Sequence, residues 1–318
     1  MSESRPAPAV RNYLIDGLVL AGAGVALLSW FGRFHWTFDL LSHFRLQEAV
    51  VVWLLAVLAW VSERRFVAVL ATGVFLLQAN SLRAIWSHPL VIPMGQPRLK
   101  CVYANLHSDN VDFAAILEWI DQEQPDVIAL LEYSAAWDEA MQPKLAAWPY
   151  RALLPREDHF GIALYSRRPL GQTDWFVPTP ETPPTLVANF AWEGRDVSWV
   201  LTHPYPPVRA WAANMRDQEL AAVAELPALD SPHAVLLGDL NATPWSRGYR
   251  LLSRAKLRDA RLGHGLLSTW NAAWPRALRI PIDTLMVGPK WIVASIEVGP
   301  QIGSDHLPLV FELCPLPQ

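Results

Sequence analysis

The distribution of hydrophobic positions divides this chain of 318 residues into two parts. The first part, up to Trp86, contains three long apolar runs, which cover residues 13–31, 46–61 and 66–82. From Leu99 onwards, short apolar runs alternate with segments whose apolar residues recur at helical spacing, the pattern of an α/β domain. The sequence thus predicts N-terminal transmembrane helices over residues 1–86, a proline-rich linker over 87–98 and an α/β domain over 99–318.

The three apolar runs predict about three membrane-spanning helices. A helix needs about 20 apolar residues to cross the hydrocarbon core, with about 17 as the lower limit, so the first run qualifies and the other two are marginal alone. The short polar turn Ser62–Arg65 separates the second run from the third and favours an antiparallel hairpin. Two spans, or helices packed in a soluble protein, are the alternatives. A cleaved signal peptide is disfavoured because more apolar helix follows the first run.

The arginines that flank these runs bear on orientation, because cytoplasmic loops carry an excess of Lys and Arg. They stand before the first run, around the first loop and in the second loop, in that order: Arg5 and Arg11, Arg33 and Arg45, Arg64 and Arg65. The asymmetry is slight. With three spans and a cytoplasmic N-terminus, the domain over 99–318 is expected outside the cytoplasm, anchored to the inner cell membrane.

Composition narrows the class of protein. Hydrophobic residues make up 52% of the chain, charged residues 18%, and the formal net charge is −4. Proteins that follow a nucleic-acid backbone carry a basic face, so this charge disfavours a nuclease, although a local basic patch is compatible with it. Cys101 and Cys314 are too far apart for a CxxC metal site. They are either buried reduced thiols, which their strand-like surroundings favour, or one disulfide.

Polar side chains occur at six ends of predicted strands in the second part. They are Asn105, Glu132, His203, Asp239 with Asn241, Asp283, and Asp305 with His306. Each has an ordinary structural explanation, such as a helix cap, an Asx turn or a hydrogen-bonded core histidine. Because unpaired buried charges are costly, packing alone does not account for all six, and a common site at one edge of the sheets does.

The residue types in this set indicate the chemistry of the site. Carboxylate and amide oxygens are the ligands that a hard cation such as Mg²⁺ prefers, whereas zinc hydrolases use clustered His and Cys. Hydrolysis of a phosphoester requires neutralisation of charge on the phosphoryl oxygens and an in-line oxygen nucleophile. The set therefore favours a metal-dependent phosphoesterase.

Seven stretches carry a resemblance to a known family. They are YAN at 103–105, PDVIALLE at 125–132, GIALYSRRP at 161–169, THPYPP at 202–207, LLGDLNATP at 236–244, IDTLMV at 282–287 and GSDHLPL at 303–309. In this order they resemble the endonuclease/exonuclease/phosphatase superfamily, which includes DNase I-like nucleases, sphingomyelinases and inositol-phosphate phosphatases. They cover about the last two-thirds of the chain.

The resemblance implies an α/β fold, namely a four-layer αββα sandwich of the DNase I-like type, which here follows an all-α transmembrane segment. It also implies a Mg²⁺ site, with Mn²⁺ as the alternative ion. Carried over residue by residue, Glu132 resembles the main metal carboxylate, and Asn105 and Asp305 are expected close to the ion.

The resemblance gives the remaining positions catalytic roles. Asp239 and Asn241 would orient or activate the attacking water and contact the phosphoryl oxygens. His306, paired with Asp283, would bind the phosphate or assist proton transfer. His203 would hydrogen-bond the phosphate or the leaving oxygen.

The THPYPP form and the helical anchor resemble a membrane-bound bacterial branch, linked to glycopeptide resistance, whose proposed substrate is undecaprenyl pyrophosphate. The expected function is hydrolysis of a lipid-linked phosphate or pyrophosphate, with the lipid bilayer as partner. A membrane-tethered nuclease, a phospholipid phosphodiesterase and a non-enzymatic binding module are the alternatives. The aromatic stretch from Trp270 to Ile280 is expected either to touch lipid or to pack in the rim of the domain.

Overall fold

The structure is a computed structural model that describes residues 8–87, 90, 92 and 95–317. It consists of two compact units. The first is formed by residues up to Ala84 together with Trp245–Arg247, and the second by the rest of the chain. The predicted linker 87–98 lies partly outside the described residues, and Arg5, which bears on orientation, lies outside them altogether.

Helices form the N-terminal unit: α1 Pro8–Leu28, α2 Trp36–Ser42, α3 Arg45–Val61 and α4 Arg65–Leu82. The three long helices coincide with the apolar runs, and the short α2 is an element that the runs did not predict. Small residues such as Ala23, Ala56, Ala59 and Ala71 fill the space between the long helices. Large apolar side chains face outwards on the same helices. An apolar exterior around a small-residue interior is typical of helices that pack within a membrane.

Two helices of this unit are long and apolar enough to cross a membrane, over Val10–Phe31 and Arg65–Trp86. A third candidate arises if α2 and α3, which meet at 76°, form one broken span. The described residues therefore offer two or three spans by length and composition, the two alternatives that the sequence left open.

A polar cluster lies inside this helical unit. Gln78 donates from Nε2 to Glu48 Oε2 at 2.9 Å and to the carbonyl oxygen of Ala26 at 2.9 Å. Ser29 donates to the same Glu48 oxygen at 2.8 Å, and Arg45 lies 3.7 Å from it. Polar groups in an apolar medium favour partners on neighbouring helices, so this cluster stabilises the packing of α1 against α3 and α4.

The second unit contains twelve strands in two mixed sheets. The strands are β1 Leu99–Asn105, β2 Val127–Leu131, β3 Tyr150–Leu154, β4 Ile162–Ser166, β5 Leu170–Phe176, β6 Thr185–Trp192, β7 Arg195–Leu201, β8 Ala234–Asp239, β9 Arg258–Asp259, β10 Asp283–Val287, β11 Trp291–Val298 and β12 Leu309–Pro315. Sheet one has the order β11-β12-β1-β2-β4-β3, and sheet two has the order β5-β6-β7-β8-β10-β9.

The two sheets face each other between layers of helices. One large core joins side chains of both sheets, among them Tyr103, Trp199 and Phe311. A second core packs α5 Phe113–Glu123 and α6 Ala135–Met141 against the outer face of sheet one. A third packs α7 Ala210–Val223 and neighbouring turns against sheet two, and the short helix α8 Arg247–Leu251 follows β8. The order of layers is helix, sheet, sheet, helix.

Strand periodicity directs the functional residues into the space between the sheets, since alternate side chains point to the same face. In β8, Val235 and Leu237 belong to the core between the sheets, and Asp239 continues their face. In β1, Cys101 and Tyr103 do the same for Asn105. Cys101 and Cys314 are free and buried, which confirms the interpretation of two core thiols.

A buried acid supports the end of β7 from α7. Thr202 donates to Glu219 Oε1 at 3.0 Å and shares a 2.7 Å hydrogen bond with Thr185. Glu219 Oε2 is buried without a hydrogen-bond partner. Burial raises the pKa of Glu219 to about 8, against the smaller opposing effects of the Thr202 hydrogen bond and of His203. The folded protein therefore holds this proton at neutral pH.

We expect the stability of the second unit to fall as pH rises from about 4.5 to 8, because the unfolded chain loses the Glu219 proton first. Glu219→Gln keeps the neutral form and should remove this slope, at a gain of a few kcal/mol near pH 8. Thermal unfolding of the detergent-solubilised chain between pH 5 and 9 measures the difference. Parallel curves for the variant and the unsubstituted protein would contradict a neutral Glu219.

Candidate active site

The topology brings the six polar strand ends to one edge of the paired sheets. β1 runs parallel to β2, and β12 runs antiparallel to β1, so the segment before β12 adjoins the end of β1. In sheet two, β7 is parallel to β8, and Asp283 at the start of β10 pairs with Asp239 at the end of β8. All the candidate residues predicted from the sequence therefore lie at this edge, which we call the catalytic edge.

Asp239 lies at the centre of the cluster. Its Oδ2 is 3.3 Å from Asn105 Nδ2, 3.5 Å from His203 Nε2 and 3.5 Å from His306 Nε2. Its Oδ1 accepts the backbone N–H of Asn241 at 2.9 Å. One carboxylate thus receives donors from both sheets, and it is almost fully buried.

The side chain of Asn241 points away from this carboxylate. Its Nδ2 donates to the carbonyl oxygen of Pro204 at 3.0 Å, and its backbone is left-handed with a φ of 48°. The buried Arg216 donates to the carbonyl oxygen of Asn241 at 3.1 Å. Asn241 therefore joins the end of β8 to the loop that follows His203.

His306 is paired with Asp283, as the resemblance implies. His306 Nδ1 lies 2.8 Å from Asp283 Oδ2, and both side chains are buried. Tyr103 donates its hydroxyl to Asp283 Oδ1 at 2.6 Å, and Thr269 donates to Oδ2. Because both oxygens of Asp283 are occupied, this carboxylate orients His306 and has little capacity left for other ligands.

Glu132 follows β2 and turns towards Asn105 through a left-handed backbone with a φ of 56°. Asn105 Nδ2 donates to Glu132 Oε1 at 3.0 Å. Ser108 donates its backbone N–H at 3.0 Å and its hydroxyl at 3.2 Å to Oε2. His159 approaches the same oxygen to 3.5 Å. The amide of Asn105 therefore connects Glu132 in sheet one with Asp239 in sheet two.

Asp305 lies beside this group with one unsatisfied oxygen. Trp270 donates its indole N–H to Asp305 Oδ2 at 3.0 Å, whereas Oδ1 is buried without a hydrogen bond. His107 Nδ1 lies 3.4 Å from that oxygen and 4.0 Å from Glu132 Oε2. The two carboxylates therefore face a common position.

The electrostatics of the cluster favour ionised carboxylates beside protonated imidazoles. Burial alone would raise the pKa of Asp239, but His306 and His203 outweigh it and lower the pKa. Burial alone would lower the pKa of His306, and Asp283 and Asp239 outweigh it and raise the pKa. The pKa of His203 is raised in the same way, mainly by Asp239 against burial.

The formal charges of the cluster suit a divalent cation. Four carboxylates, those of Glu132, Asp239, Asp283 and Asp305, lie in one cluster with His203 and His306. Oxygen atoms dominate the donor set, and the Oδ1 of Asp305 is buried without a hydrogen bond. These residues fit a hard divalent ion, which prefers oxygen ligands.

Two groups of side chains could hold that ion. Asp239, Asp283 and His306 each bring one ligand atom to within 4.8 Å of the others. Glu132 and Asp305, which the sequence predicted as ligands, form the second group, and each has an oxygen within 4.0 Å of His107 Nδ1. Asn105 presents its Nδ2 to the carboxylates here, while its oxygen accepts the backbone N–H of His107 at 3.1 Å.

Comparison with family models decides the affiliation of the second unit. The model described as the endonuclease/exonuclease/phosphatase family matches residues 102–306, which include all the polar strand ends described above. The chain belongs to the endonuclease/exonuclease/phosphatase family. Members of this family hydrolyse phosphoric esters, and they typically depend on a divalent metal ion.

Solved structures of the family share the fold of the second unit. An endonuclease/exonuclease/phosphatase from Beutenbergia cavernae DSM 12333 is 20% identical, with a TM-score of 0.57 over 69% of this chain and 72% of that one. One from Bacteroides vulgatus is 18% identical, with a TM-score of 0.56 over 69% and 100%. D. rerio TDP2 complexed with a single-strand DNA product is 16% identical, with a TM-score of 0.55 over 68% and 98%. No curated protein is significantly similar to this chain.

The sequence did not predict several side chains that contact the acidic and histidine cluster. His107 and His159 approach Glu132 from loops, and both have left-handed backbones, with φ of 59° and 69°. Tyr103 and Thr269 bond Asp283, and Trp270 bonds Asp305. Tyr103 stood within the YAN stretch, two positions before Asn105 on the same strand face, and this spacing was the available signal for it.

The glycine of the GDxN motif has a packing role. A Cβ on Gly238 would lie 1.9 Å from the carbonyl oxygen of Thr202, in the neighbouring strand end. Only a glycine lets these backbones approach so closely, and the approach aligns His203 with Asp239. The motif thus fixes the two strand ends relative to each other.

We expect Gly238→Ala to destabilise the second unit by about 1–3 kcal/mol, because the added methyl group must push the end of β8 away from β7. Turnover should fall by more than the loss of folded protein accounts for, since Asp239 moves with the strand. Circular dichroism melts measure the effect on stability, and turnover of a soluble phosphoric ester measures the effect on activity. An unchanged melting temperature would show that the strands tolerate the methyl group.

Measurements of metal affinity and of kcat should distinguish a metal ligand from a residue that orients a catalytic side chain. We expect Glu132→Ala to weaken Mn²⁺ or Mg²⁺ binding by tenfold or more, about 1.4 kcal/mol, because the carboxylate that the resemblance predicts as the main metal ligand is lost. Asp283→Asn should change metal affinity little while lowering kcat, because Asp283 acts through His306. Isothermal titration calorimetry and steady-state kinetics on both variants make the comparison. Equal losses of affinity would favour the trio of Asp239, Asp283 and His306 as the metal site.

Proposed function

We propose that this chain is a membrane-anchored, metal-dependent phosphoesterase that hydrolyses a lipid-linked phosphate or pyrophosphate, such as undecaprenyl pyrophosphate. One observation carries the proposal. The acidic and histidine cluster of a phosphoesterase family occurs in the same chain as helices long and apolar enough to cross a membrane. The THPYPP stretch and the helical anchor, which resemble the membrane-bound bacterial branch, support the same substrate class.

The residues of the cluster suit attack of water on a terminal phosphate. A divalent cation bound by Glu132 and Asp305, with Asn105 nearby, would neutralise charge on the phosphoryl oxygens. Asp239 is the carboxylate that would orient the attacking water, since donors from both sheets hold it in place at the centre of the cluster. Water adds to the terminal phosphorus, and the bond to the bridging oxygen breaks.

The two histidines complete the proposed reaction. His306, held by Asp283 at 2.8 Å, presents Nε2 to the space beside Asp239 as a donor to a phosphoryl oxygen. His203 presents Nε2 to the same carboxylate and can donate to the leaving oxygen. For a polyprenyl pyrophosphate the products are the polyprenyl phosphate and inorganic phosphate.

The proposal includes a location. Three spans with a cytoplasmic N-terminus would anchor the chain in the inner membrane with the catalytic domain on the extracytoplasmic side. A carrier lipid whose diphosphate is exposed at that surface is the type of substrate that such an arrangement serves.

A membrane-tethered nuclease is the second candidate, because a D. rerio TDP2 structure of the same fold contains a single-strand DNA product. The net charge of −4 gives it no support. A phosphodiesterase that acts on phospholipid is the third candidate. It would use the same cluster at the same surface.

The decisive test is phosphate release from undecaprenyl pyrophosphate by the full chain in detergent with Mg²⁺, run beside nicking of plasmid DNA. We expect metal-dependent phosphate release, loss of that release in Glu132→Ala, and intact plasmid. Nicking without phosphate release would establish the nuclease instead. If neither occurs, release of a phosphorylated headgroup from phospholipid vesicles distinguishes the phosphodiesterase.

A further inference from the structure

Exposed apolar side chains concentrate at the catalytic edge. Across residues 95–317, seven large hydrophobic side chains are exposed, and six of them lie on segments at this edge. The six are Val111, Val177, Val208, Trp211, Trp274 and Leu278. The seventh, Tyr150, begins β3 and lies at the opposite end of the sheets. Exposed apolar groups scattered at random need no explanation, but a group confined to one edge indicates an interaction surface.

Four of the six side chains lie on two loop segments. The first, 203–211, comprises the loop after β7 and the start of α7, and it exposes Val208 by 63% and Trp211 by 56%. The second, 270–280, exposes Trp274 by 38% and Leu278 by 50%. We call these four side chains the apolar rim.

The charge of the two loops differs from that of the whole chain. They contain Arg209, Arg276 and Arg279 and no Asp or Glu, although the net charge of the chain is −4. Arg209 and Arg276 are exposed beside the rim, whereas Arg279 braces its loop by donating to the carbonyl oxygens of Trp274 and Ala272. Aromatic and apolar side chains next to basic ones are the residues found at the surface of an anionic bilayer.

The first loop is connected to the catalytic cluster through packed rings. Trp211 packs edge-on against Tyr205, with ring centroids 5.4 Å apart, and Tyr205 packs against Phe160 at 4.8 Å. Phe160 lies 5.3 Å from the ring of His203. The rim on this side is thus separated from a catalytic histidine by two aromatic side chains.

The second loop is anchored in the same cluster. Trp270 and Ile280 exchange backbone hydrogen bonds that close the loop between them. The indole of Trp270 bonds Asp305, and its ring lies 6.5 Å from that of His306 and 5.3 Å from that of Trp274. Both loops therefore extend from the catalytic residues themselves.

We propose that the apolar rim inserts into the interface of an anionic lipid bilayer and holds the catalytic cluster at the level of the headgroups. This inference rests on the proposed function and specifies the state of its substrate, namely a phosphate on a lipid that remains embedded in the membrane. The occupant is a bilayer because the chain carries its own spanning candidates.

The two cysteines allow a direct test. Cys101 and Cys314 are buried, so a single introduced cysteine can be labelled selectively with an environment-sensitive fluorophore. Val208→Cys and Leu278→Cys probe the rim, and Tyr150→Cys, also exposed but at the opposite end, is the matched control. The labelled full chain is reconstituted into vesicles of phosphatidylcholine and phosphatidylglycerol, with an aqueous quencher on both sides.

We expect blue-shifted emission and severalfold weaker quenching at positions 208 and 278 than at position 150. Equal quenching at all three positions would overturn the inference. Vesicles of phosphatidylcholine alone should shield the rim labels less, since Arg209 and Arg276 then lack anionic partners.

Activity provides a second measurement. Trp211→Ser combined with Leu278→Ser should lower hydrolysis of vesicle-borne undecaprenyl pyrophosphate severalfold more than hydrolysis of a short, water-soluble prenyl diphosphate, and Tyr150→Ser should lower neither. Equal losses on both substrates would overturn the inference. Shielded labels without phosphate release would refute the proposed function and leave the docking surface supported. Phosphate release with unshielded labels would support the proposed function and refute the docking surface.

Discussion

The buried carboxylate of Asp239 is the group on which the arrangement of the site depends. An ionised carboxylate removed from water costs several kcal/mol unless donors replace the lost hydration. Here those donors come from Asn105 in sheet one, from His203 after β7 and from His306 before β12. The carboxylate of Asp239 therefore receives all of these donors only when the two sheets are packed against each other as in the folded protein. Folding of the sandwich and assembly of the site are in this sense the same event.

The other acidic residues differ from Asp239 in how completely they are satisfied. Asp283 has a donor on each oxygen and acts as a fixed support for His306. Asp305 keeps one buried oxygen without a hydrogen bond, next to Glu132. Within one cluster, the carboxylate of Asp283 is thus held by donors on both oxygens, whereas that of Asp305 keeps one oxygen without a hydrogen bond. Removal of an orienting residue and removal of a ligand should thus have different consequences for the enzyme.

The sequence predicted the parts of the fold and of the site that follow from local periodicity. Apolar runs gave the long helices, and a period of two along β1 and β8 placed Asn105 and Asp239 on the face between the sheets. The short helix α2 has no comparable apolar signal. The loop residues His107 and His159 reach Glu132 through left-handed backbones that depend on the tertiary structure. Those contacts depend on the path of the two loops, and the hydrophobic periodicity of the sequence carries no information about that path.

The apolar rim also bears on the choice between lipid and nucleic acid. A protein that follows a nucleic-acid strand neutralises successive phosphates with a row of basic groups, and its affinity grows with their number. The two loops at the catalytic edge offer few arginines, one of which braces its own loop, interleaved with exposed side chains such as Trp211 and Leu278. An exposed indole such as that of Trp211 can stack on a base, but the aliphatic side chains of Val208 and Leu278 would stay in water beside a nucleic-acid strand. In the proposed bilayer contact all four side chains would bury apolar surface while the adjacent arginines reach the headgroup phosphates. The aliphatic part of the rim is therefore the feature that favours a lipid over a nucleic acid.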